Sequence, residues 1–218
     1  MGDTNQLLFA KSFGNIVKGP ILEVGSRDYG NTQNFRELFA NEQYLGIDMQ
    51  AGKGVDQVLD LADDFKSIDN ALQGRRFNTI ICMSVLEHCR DPFKMAQNIQ
   101  SLMSEDGVLL VSVPFSWEIH GFPDDYWRFT PSGVRILFQQ LNFETHQGTA
   151  FAGKQNQRSS LDGDFFKIKF SLKSRQQLGG FTAFFAMLFK KLGLMKSIFG
   201  YRYIFPPIMI SMVGIKKP

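Results

Sequence analysis

Cysteine is scarce in this sequence: Cys82 and Cys89 are the only two among 218 residues. Neither belongs to a spacing typical of zinc ligands or to a disulfide framework, so the sequence predicts reduced thiols and no metal site. The N-terminal residues also lack the basic and then apolar pattern of a secretory signal. Together these absences favour a cytoplasmic protein.

Long apolar runs are missing as well. The longest nearly apolar stretch, residues 181–189, covers less than half of a hydrocarbon core of roughly 30 Å at about 1.5 Å per residue. We therefore expect no transmembrane helix. Hydrophobic residues make up 44% of the chain and charged residues 21%, which excludes wholesale disorder and predicts a single domain over residues 1–218.

Basic and acidic residues are distributed unevenly along the chain. Residues 1–150 hold 12 Lys and Arg against 19 Asp and Glu, whereas residues 151–218 hold 12 against 2. The C-terminal part is therefore expected to face something anionic. Nucleic acid is a disfavoured partner, because the acidic remainder of the chain would repel a phosphate backbone.

Short β-rich runs alternate with helix-like segments, which predicts an α/β fold with a parallel sheet and helices on both faces. The predicted strands are 20–24, 43–48, 55–60, 77–83, 107–113 and 143–149. The predicted helices are 31–40, 65–73, 92–103 and 132–140. A C-terminal insertion of about residues 151–205, with a helix at 181–194, precedes a last strand at 208–216.

Gly25 and Gly30 bracket the turn after the first predicted strand, where nucleotide-type cofactors bind in open α/β sheets. The GxGxxG spacing of pyrophosphate loops is absent, and Glu23 and Asp28 would repel two phosphates. The turn instead suits a cofactor with a cationic amino acid end and no phosphate. This chemistry disfavours a nicotinamide oxidoreductase.

Two acids end the next two predicted strands. Asp48 lies 23 residues after Gly25, where a carboxylate can accept hydrogen bonds from both ribose hydroxyls; alternatively it is a surface turn residue. Asp60 can accept a hydrogen bond from an adenine amine, or it can cap the helix that follows.

The order Glu23-x-Gly25, Asp48, Asp60-Leu61 and Val85-Leu86-Glu87-His88 resembles that of class I S-adenosylmethionine-dependent methyltransferases. The form of the first loop is similar to type 11-like members of glycan and small-molecule pathways. The resemblance covers about residues 20–150 and the final strand. It implies a Rossmann-like sheet of seven mostly parallel strands with an antiparallel last strand.

The resemblance also implies S-adenosyl-L-methionine as the cofactor and a set of contacts for it. Glu23 and Gly25 would hold the methionine end, Asp48 the ribose, Asp60 and Leu61 the adenine, and Ser84 and Val85 the floor beside the methyl group. Ser26, Asp28 and Met49 complete the implied set. One departure is that Arg27 and Tyr29 stand where the family has glycines. This predicts either a slightly different loop path, which we favour because Gly30 still allows a tight turn, or a reduced affinity for the cofactor.

Methyl transfer to a hydroxyl requires a proton acceptor, and the chain has three histidines. His120 is the first candidate, because it lies in an aromatic and acidic loop after the fifth predicted strand; the alternative is packing. His88 is the second, although its role can be architectural. His146 is predicted to be structural.

The loop from 114 to 131 is expected to bind the acceptor through Tyr126, Trp127 and Arg128, or else to pack on the sheet edge with Arg128 paired to Asp124 or Asp125. Its sequence resembles the same glycan-linked methyltransferases. We therefore expect a methyltransferase whose acceptor is an oxygen of a small molecule or saccharide. The alternative is a catalytically silent subunit of the same fold that binds a partner through its aromatic tail.

The tail, residues 181–205, combines aromatic residues with lysines and an arginine. Such a segment fits the surface of an anionic membrane, which would make the protein peripheral at the inner membrane face. It equally fits a lid over the site or the interface of a homodimer. The sequence leaves these alternatives open.

Overall fold

The computed structural model describes residues 4–30, 34–121, 124–144, 149–152, 158–160, 180–194 and 207–217. Its strands form one sheet in the order β3-β2-β1-β4-β5-β9-β7-β8, and β6 also pairs with β9. The strands are β1 (Ile21–Val24), β2 (Tyr44–Asp48), β3 (Gln57–Val58), β4 (Phe77–Met83), β5 (Met103–Ser116), β6 (Leu141–Phe143), β7 (Thr149–Ala152), β8 (Arg158–Ser160) and β9 (Ile208–Lys216).

The first five strands are parallel to one another. Strands β4 and β5 lie inside the sheet with a neighbouring strand on each side, and side chains along β4 are buried on both faces. Because parallel strands end at the same edge, the turns after β1, β2 and β4 meet there. This edge carries the candidate site.

The last strand, β9, runs antiparallel to β5, as predicted. The predicted strand 143–149 is instead two short strands, β6 and β7, which both pair with β9 on either side of residues 145–148. His146 lies among those four residues, outside the described part. The hairpin partner β8 extends the sheet beyond β7. The Rossmann-like, mostly parallel fold class is confirmed, with this hairpin as an addition.

Five α-helices are described: α1 (Thr4–Ser12), α2 (Phe65–Ala71), α3 (Pro92–Leu102), α4 (Pro131–Leu137) and α5 (Gly180–Lys191). Aspartate or threonine caps α2, α3 and α4, each accepting a hydrogen bond from a backbone N–H of the first turn. Asp91 and Pro92 begin α3 as the sequence predicts.

Two predicted elements are much shorter in the structure. The predicted helix 31–40 is only a 3-10 turn at Arg36–Phe39, with residues 31–33 outside the described part. The predicted strand 55–60 is reduced to β3. Before it, the N–H of Val55 donates to Gly52 in a turn, and after it the N–H of Leu59 still donates to Asp48 at the end of β2.

Apolar side chains form one core on each face of the sheet. Along β4, Ile80 and Cys82 belong to the core beneath α2, α3 and α4. Ile81 and Met83 belong to the opposite core, which α1 covers through Phe9. Helices on both faces are thus confirmed, and the alternation follows from the period of two residues in a strand.

Of the predicted C-terminal insertion, the described residues are β7, β8 and α5 with the three residues after it. Among the described parts of the chain, no helix has the length and apolar content that a membrane span needs. The division into one domain stays a prediction.

Candidate active site

A cavity of about 770 Å³ opens at the carboxyl ends of β1, β2 and β4. Its size falls within the range of small-molecule sites, about 300–1,000 Å³. The predicted site residues that line it are Gly25, Asp48, Met49, Asp60, Leu61, Ser84, Val85, His88, His120 and Tyr126. The structure therefore brings both halves of the predicted site, cofactor and acceptor, to one cavity.

The turn at Gly25 can hold only glycine without rearrangement. Gly25 has a φ of +74°, and a Cβ built on it would lie 2.4 Å from Val85 Cγ2. Its N–H donates to the carbonyl of Ile47, 2.9 Å away, which ties the end of β1 to β2. A backbone that approaches the cavity wall this closely is what a nucleotide-type ligand requires.

We expect the Gly25→Ala substitution to lower the free energy of unfolding by about 2–4 kcal/mol, from left-handed backbone strain and overpacking. Adding Val85→Ala should restore the part of the unfolding free energy that is lost to the clash with Val85. It should not restore the part that is lost to the positive φ at residue 25. Gly30→Ala is the matched control, since Gly30 also has a positive φ of +91° but a Cβ there meets nothing described within 4 Å. Chemical denaturation measures all three, and equal losses at Gly25 and Gly30 would contradict the packing argument.

The two acids predicted to hold an adenosine lie at the cavity wall, each with one oxygen in a turn. Asp48 Oδ1 accepts a hydrogen bond from the N–H of Gln50 at 2.9 Å, and Asp60 Oδ1 accepts one from Ala62 at 2.8 Å. Asp60 does not cap α2, because that position belongs to Asp64. Both carboxylates thus have fixed orientations at the ends of neighbouring strands.

Among the described residues, three predicted cofactor contacts are not part of the cavity wall: Glu23, Ser26 and Asp28. Glu23 is buried on the opposite face of β1, where it accepts a hydrogen bond from the Tyr44 hydroxyl at 2.8 Å and where burial raises the pKa of its carboxyl. Ser26 is buried against Gly46. The structure therefore gives these side chains a supporting place behind the turn.

Asp28 fixes the shape of the first loop. One carboxylate oxygen accepts from the N–H of Gly30 and the other pairs with Lys53 at 2.7 Å. The guanidinium of Arg27 lies 5.0 Å from the centre of the Tyr29 ring and donates to Gln50. These contacts fix Arg27 and Tyr29 in the loop, and the altered loop path stays a prediction.

A buried polar network lies beneath the cavity and was not predicted from the sequence. The side-chain amide of Gln6, on α1, donates to Ser84 Oγ at 2.8 Å and to Ser112 Oγ at 2.9 Å. Ser112 in turn shares a hydrogen bond with Ser211. Gln6 also lines the cavity, so α1 is part of the site.

The loop that carries Asp60 and Leu61 is held from below by Asn98 of α3. Its buried side-chain amide donates to the carbonyls of Leu61 and Asp63 at 2.8 and 2.9 Å. This contact joins residues far apart in sequence, so no local motif reveals it. A buried asparagine on the apolar face of a predicted helix is the only signal that points to it.

Glu87, His88 and His120 form a cluster in the cavity, with one ligand atom of each within 4.8 Å of the others. Glu87 is fully buried, and neither carboxyl oxygen has a hydrogen-bond partner among the described residues. Burial raises the pKa of Glu87 to about 8 and lowers that of His88. The two histidines are predicted from the sequence as candidate bases, whereas Glu87 has no predicted chemical role.

The acceptor loop is held by Arg128, whose guanidinium pairs with both oxygens of Asp125. This pairing keeps the pKa of Asp125 well below its usual range. Asp125 also accepts from the N–H of His120 at 3.0 Å. The predicted alternative for Arg128, pairing with a loop acid, is therefore what the structure shows.

Of the three predicted acceptor contacts, only Tyr126 reaches the cavity wall. Its hydroxyl donates to Asp124 at 2.7 Å and accepts from Arg90 at 3.0 Å, which places a polar chain at the cavity mouth. Trp127 points its indole N–H at the carbonyl of Cys89, 2.8 Å away. Trp127 and Arg128 are thus supports of the loop among the described residues.

A mostly parallel sheet in this order, with acids at the ends of two strands beside one cavity, defines the fold of class I methyltransferases. Solved structures agree. A SAM-dependent methyltransferase from Archaeoglobus fulgidus superposes with a TM-score of 0.54 at 14% identity, covering 96% of this chain and 92% of that one. A 1,6-didemethyltoxoflavin-N1-methyltransferase from Burkholderia thailandensis superposes with a TM-score of 0.55 at 11% identity, covering 98% of this chain and 77% of that one.

Residues 3–156 match the model of the methyltransferase domain family, and the chain belongs to this family. In sequence it is 36% identical over 114 residues to a ubiquinone biosynthesis O-methyltransferase of Histophilus somni, a match that spans 52% of this chain and 42% of the relative. The chain thus spans less than half of that relative's length. The predicted class I methyltransferase fold and the predicted methyltransferase family are confirmed.

Proposed function

We propose that this protein transfers the methyl group of S-adenosyl-L-methionine to an oxygen of a small molecule or saccharide. The observation that carries the proposal is the single cavity that joins Asp48 and Asp60 to the cluster of Glu87, His88 and His120. One half suits an adenosine and the other offers groups that accept a proton. An acceptor hydroxyl needs such a group, whereas an acceptor that loses no proton does not.

The residues present fit the cofactor. The glycine turn at Gly25 allows close approach to its methionine end, Asp48 offers a carboxylate to its ribose hydroxyls, and Asp60 and Leu61 border its adenine. Ser84 and Val85 form the floor beside the methyl group. When bound, the cofactor supplies an electrophilic methyl group on a sulfonium, so the task left to the protein is mainly to place the acceptor oxygen in line.

His120 is the proposed proton acceptor. Its Nδ1 lies 3.2 Å from Asp125 Oδ2 and 3.2 Å from the carbonyl of Glu118. Both partners accept, so Nδ1 carries the proton and Nε2 keeps the lone pair that a base requires. Arg128 fixes Asp125, and through it the orientation of the imidazole. His88 packs edge-on against His120, with ring centres 5.0 Å apart.

An oxygen acceptor is supported by the three sequence relatives, which are all O-methyltransferases. A polyhydroxylated acceptor is supported by the mouth of the cavity, where Arg90, Asp124 and Tyr126 alternate donors and acceptors. Sugar hydroxyls both donate and accept, and their apolar faces pack on aromatic rings such as that of Tyr126. These features support the saccharide as one form of the acceptor.

The test is a transfer assay with labelled S-adenosylmethionine against a panel of phenols, sugars and nucleotide sugars. The proposal predicts label in at least one hydroxyl-bearing acceptor with stoichiometric release of S-adenosylhomocysteine. Label appearing only on amines would overturn the oxygen assignment. Cofactor binding with no turnover on any acceptor would instead favour the catalytically silent subunit.

Helix α5 supports a peripheral contact with an anionic membrane as part of this function. Phe184 and Leu192 are 51% and 59% exposed, and the exposed Lys190 and Lys191 lie in the last turn of the helix. Each lysine near such a surface contributes about 1 kcal/mol. We therefore expect Lys190→Gln with Lys191→Gln to weaken binding to vesicles of anionic lipid by about 30-fold in sedimentation.

The same double change at Lys11 and Lys66, two exposed lysines on α1 and α2, is the matched control. It should leave vesicle binding within about threefold, since neither lysine adjoins an exposed aromatic side chain. Equal sedimentation of all variants, or a dimer in light scattering that dissociates when Phe184 is replaced, would assign α5 to a homodimer interface instead.

A further inference from the structure

The two histidines of the cavity cluster each have one nitrogen already engaged. His88 Nδ1 lies 2.6 Å from the carbonyl oxygen of Asp124, which can only accept a hydrogen bond. His120 Nδ1 faces the carbonyl of Glu118 and the carboxylate of Asp125. Both rings therefore carry the proton on Nδ1, and both leave the Nε2 lone pair available.

These outer partners are of the kind that histidine ligands of metal ions have. A metal-bound imidazole almost always donates its other N–H to a backbone carbonyl or a carboxylate, which fixes its tautomer and orientation. Here His88 has the carbonyl and His120 has both. The Arg128 guanidinium donates to both oxygens of Asp125, so the carboxylate that orients His120 is itself held in place.

Glu87 supplies the third group, and the surroundings of its carboxyl indicate a bound cation. Both of its carboxyl oxygens are buried without a hydrogen-bond partner among the described residues. An unpartnered carboxylate in the interior is costly unless a cation or a proton neutralises it. No lysine or arginine forms an ion pair with it in the described part of the chain. The two imidazoles lie within 4.8 Å, and the Arg128–Asp125 pair acts on its carboxyl from further away.

We propose that Glu87, His88 and His120 bind one divalent transition-metal ion of the zinc type, with a further coordination position open to the cavity. Two imidazoles and one carboxylate form a donor set that zinc uses in catalytic sites, whereas magnesium and calcium prefer oxygen alone. Ligand atoms of one tetrahedral ion lie about 3.4 Å apart for bonds of about 2.0–2.2 Å. The ligand atoms of the three side chains lie up to 4.8 Å apart, so ion binding requires them to move closer together.

The catalytic role of this ion rests on the proposed function. The open position lies in the cavity that takes the acceptor, so the hydroxyl oxygen coordinates there and its O–H bond breaks with release of the proton to solvent. The cation stabilises the negative oxygen, which then forms its bond to the methyl carbon as the methyl–sulfur bond breaks. In the loaded enzyme His120 is a ligand, and the acceptor needs no separate base.

The test uses the full chain, stripped with a chelator and titrated with Co²⁺, whose visible absorption reports its ligands. We expect one Co²⁺ per chain, displaced by Zn²⁺. Glu87→Gln and His120→Asn should each bind at least tenfold more weakly, and Asp125→Asn about 10–100-fold more weakly. Glu118→Gln is the matched control, an exposed acid in the same loop that should bind as the wild type does.

Thermal unfolding shows whether each variant is still folded. Zn²⁺ should raise the Tm of the wild type and of Glu118→Gln, and leave that of Glu87→Gln unchanged. An unchanged absorption in the wild type, or equal affinity in Glu87→Gln, would overturn the metal site. Undiminished transfer activity in excess chelator would overturn its catalytic role while the proposed function stands. Binding of one ion per wild-type chain, weakened in Glu87→Gln and His120→Asn, supports the metal site even if no acceptor is methylated. In that case only the proposed function fails.

Discussion

Replacing Asp48 by Asn should weaken S-adenosylmethionine and S-adenosylhomocysteine binding by about 10²–10⁴-fold. The carboxylate at the end of β2 is proposed to accept a hydrogen bond from each ribose hydroxyl, and hydrogen bonds to a charged group contribute about 1.5–3 kcal/mol each. Asn retains an oxygen for the N–H of Gln50, which Asp48 Oδ1 binds at 2.9 Å. The turn is therefore kept while the charge and one acceptor are lost.

Asp63→Asn is the matched control for this experiment. Asp63 is exposed in the turn that follows Asp60 and is not part of the cavity wall. Calorimetric titration with S-adenosylhomocysteine compares the two variants with the wild type. A Kd that Asp48→Asn changes by less than about threefold would mean that the ribose is held elsewhere.

Replacing His120 by Asn should lower the rate of methyl transfer by about 10²–10⁴-fold, the usual contribution of a positioned acid or base. The loss is expected whether His120 accepts the proton or binds the proposed cation, because both roles use its Nε2. Cofactor binding should stay within about threefold of the wild type, since the adenosine contacts come from other strands. Single-turnover measurements with saturating cofactor report the rate.

Two comparisons sharpen this result. His146→Asn makes the same chemical change at the histidine predicted to be structural, and it should leave the rate of methyl transfer unchanged. Asp125→Asn removes the carboxylate that faces His120 Nδ1 and should lower the rate by a smaller factor, because the Glu118 carbonyl still accepts that proton. A His120→Asn enzyme as fast as the wild type would remove His120 from the mechanism.

Much of the fold follows from the sequence because its signals are local. The continuous apolar runs of β4 and β5 and the Asp91-Pro92 start of α3 indicate their elements without tertiary information. Helix α1 was not predicted, since its buried residues are Asn5, Gln6, Phe9 and Ala10 and no apolar stripe marks its inner face. Only the contacts of Gln6 with β4 and β5 reveal why polar residues are buried there.

The candidate site also has a part that the sequence predicts and a part that it does not. Asp48 and Asp60 could be predicted because the end of a parallel strand fixes where a side chain lies relative to the sheet edge. Val24 lines the cavity, and because side chains alternate along a strand, the preceding Glu23 lies on the other face of β1. The meeting of Glu87 and His120 depends on how a loop folds back over the sheet, which no spacing in the sequence encodes.

We propose above that this cavity binds S-adenosylmethionine through the ends of β1 and β2. Titration of the wild-type protein with S-adenosylhomocysteine tests this binding most directly, since no acceptor is needed. We expect one site per chain with a micromolar Kd, which the Asp48→Asn variant loses and the Asp63→Asn variant keeps. The absence of measurable binding to the folded wild-type protein would contradict it.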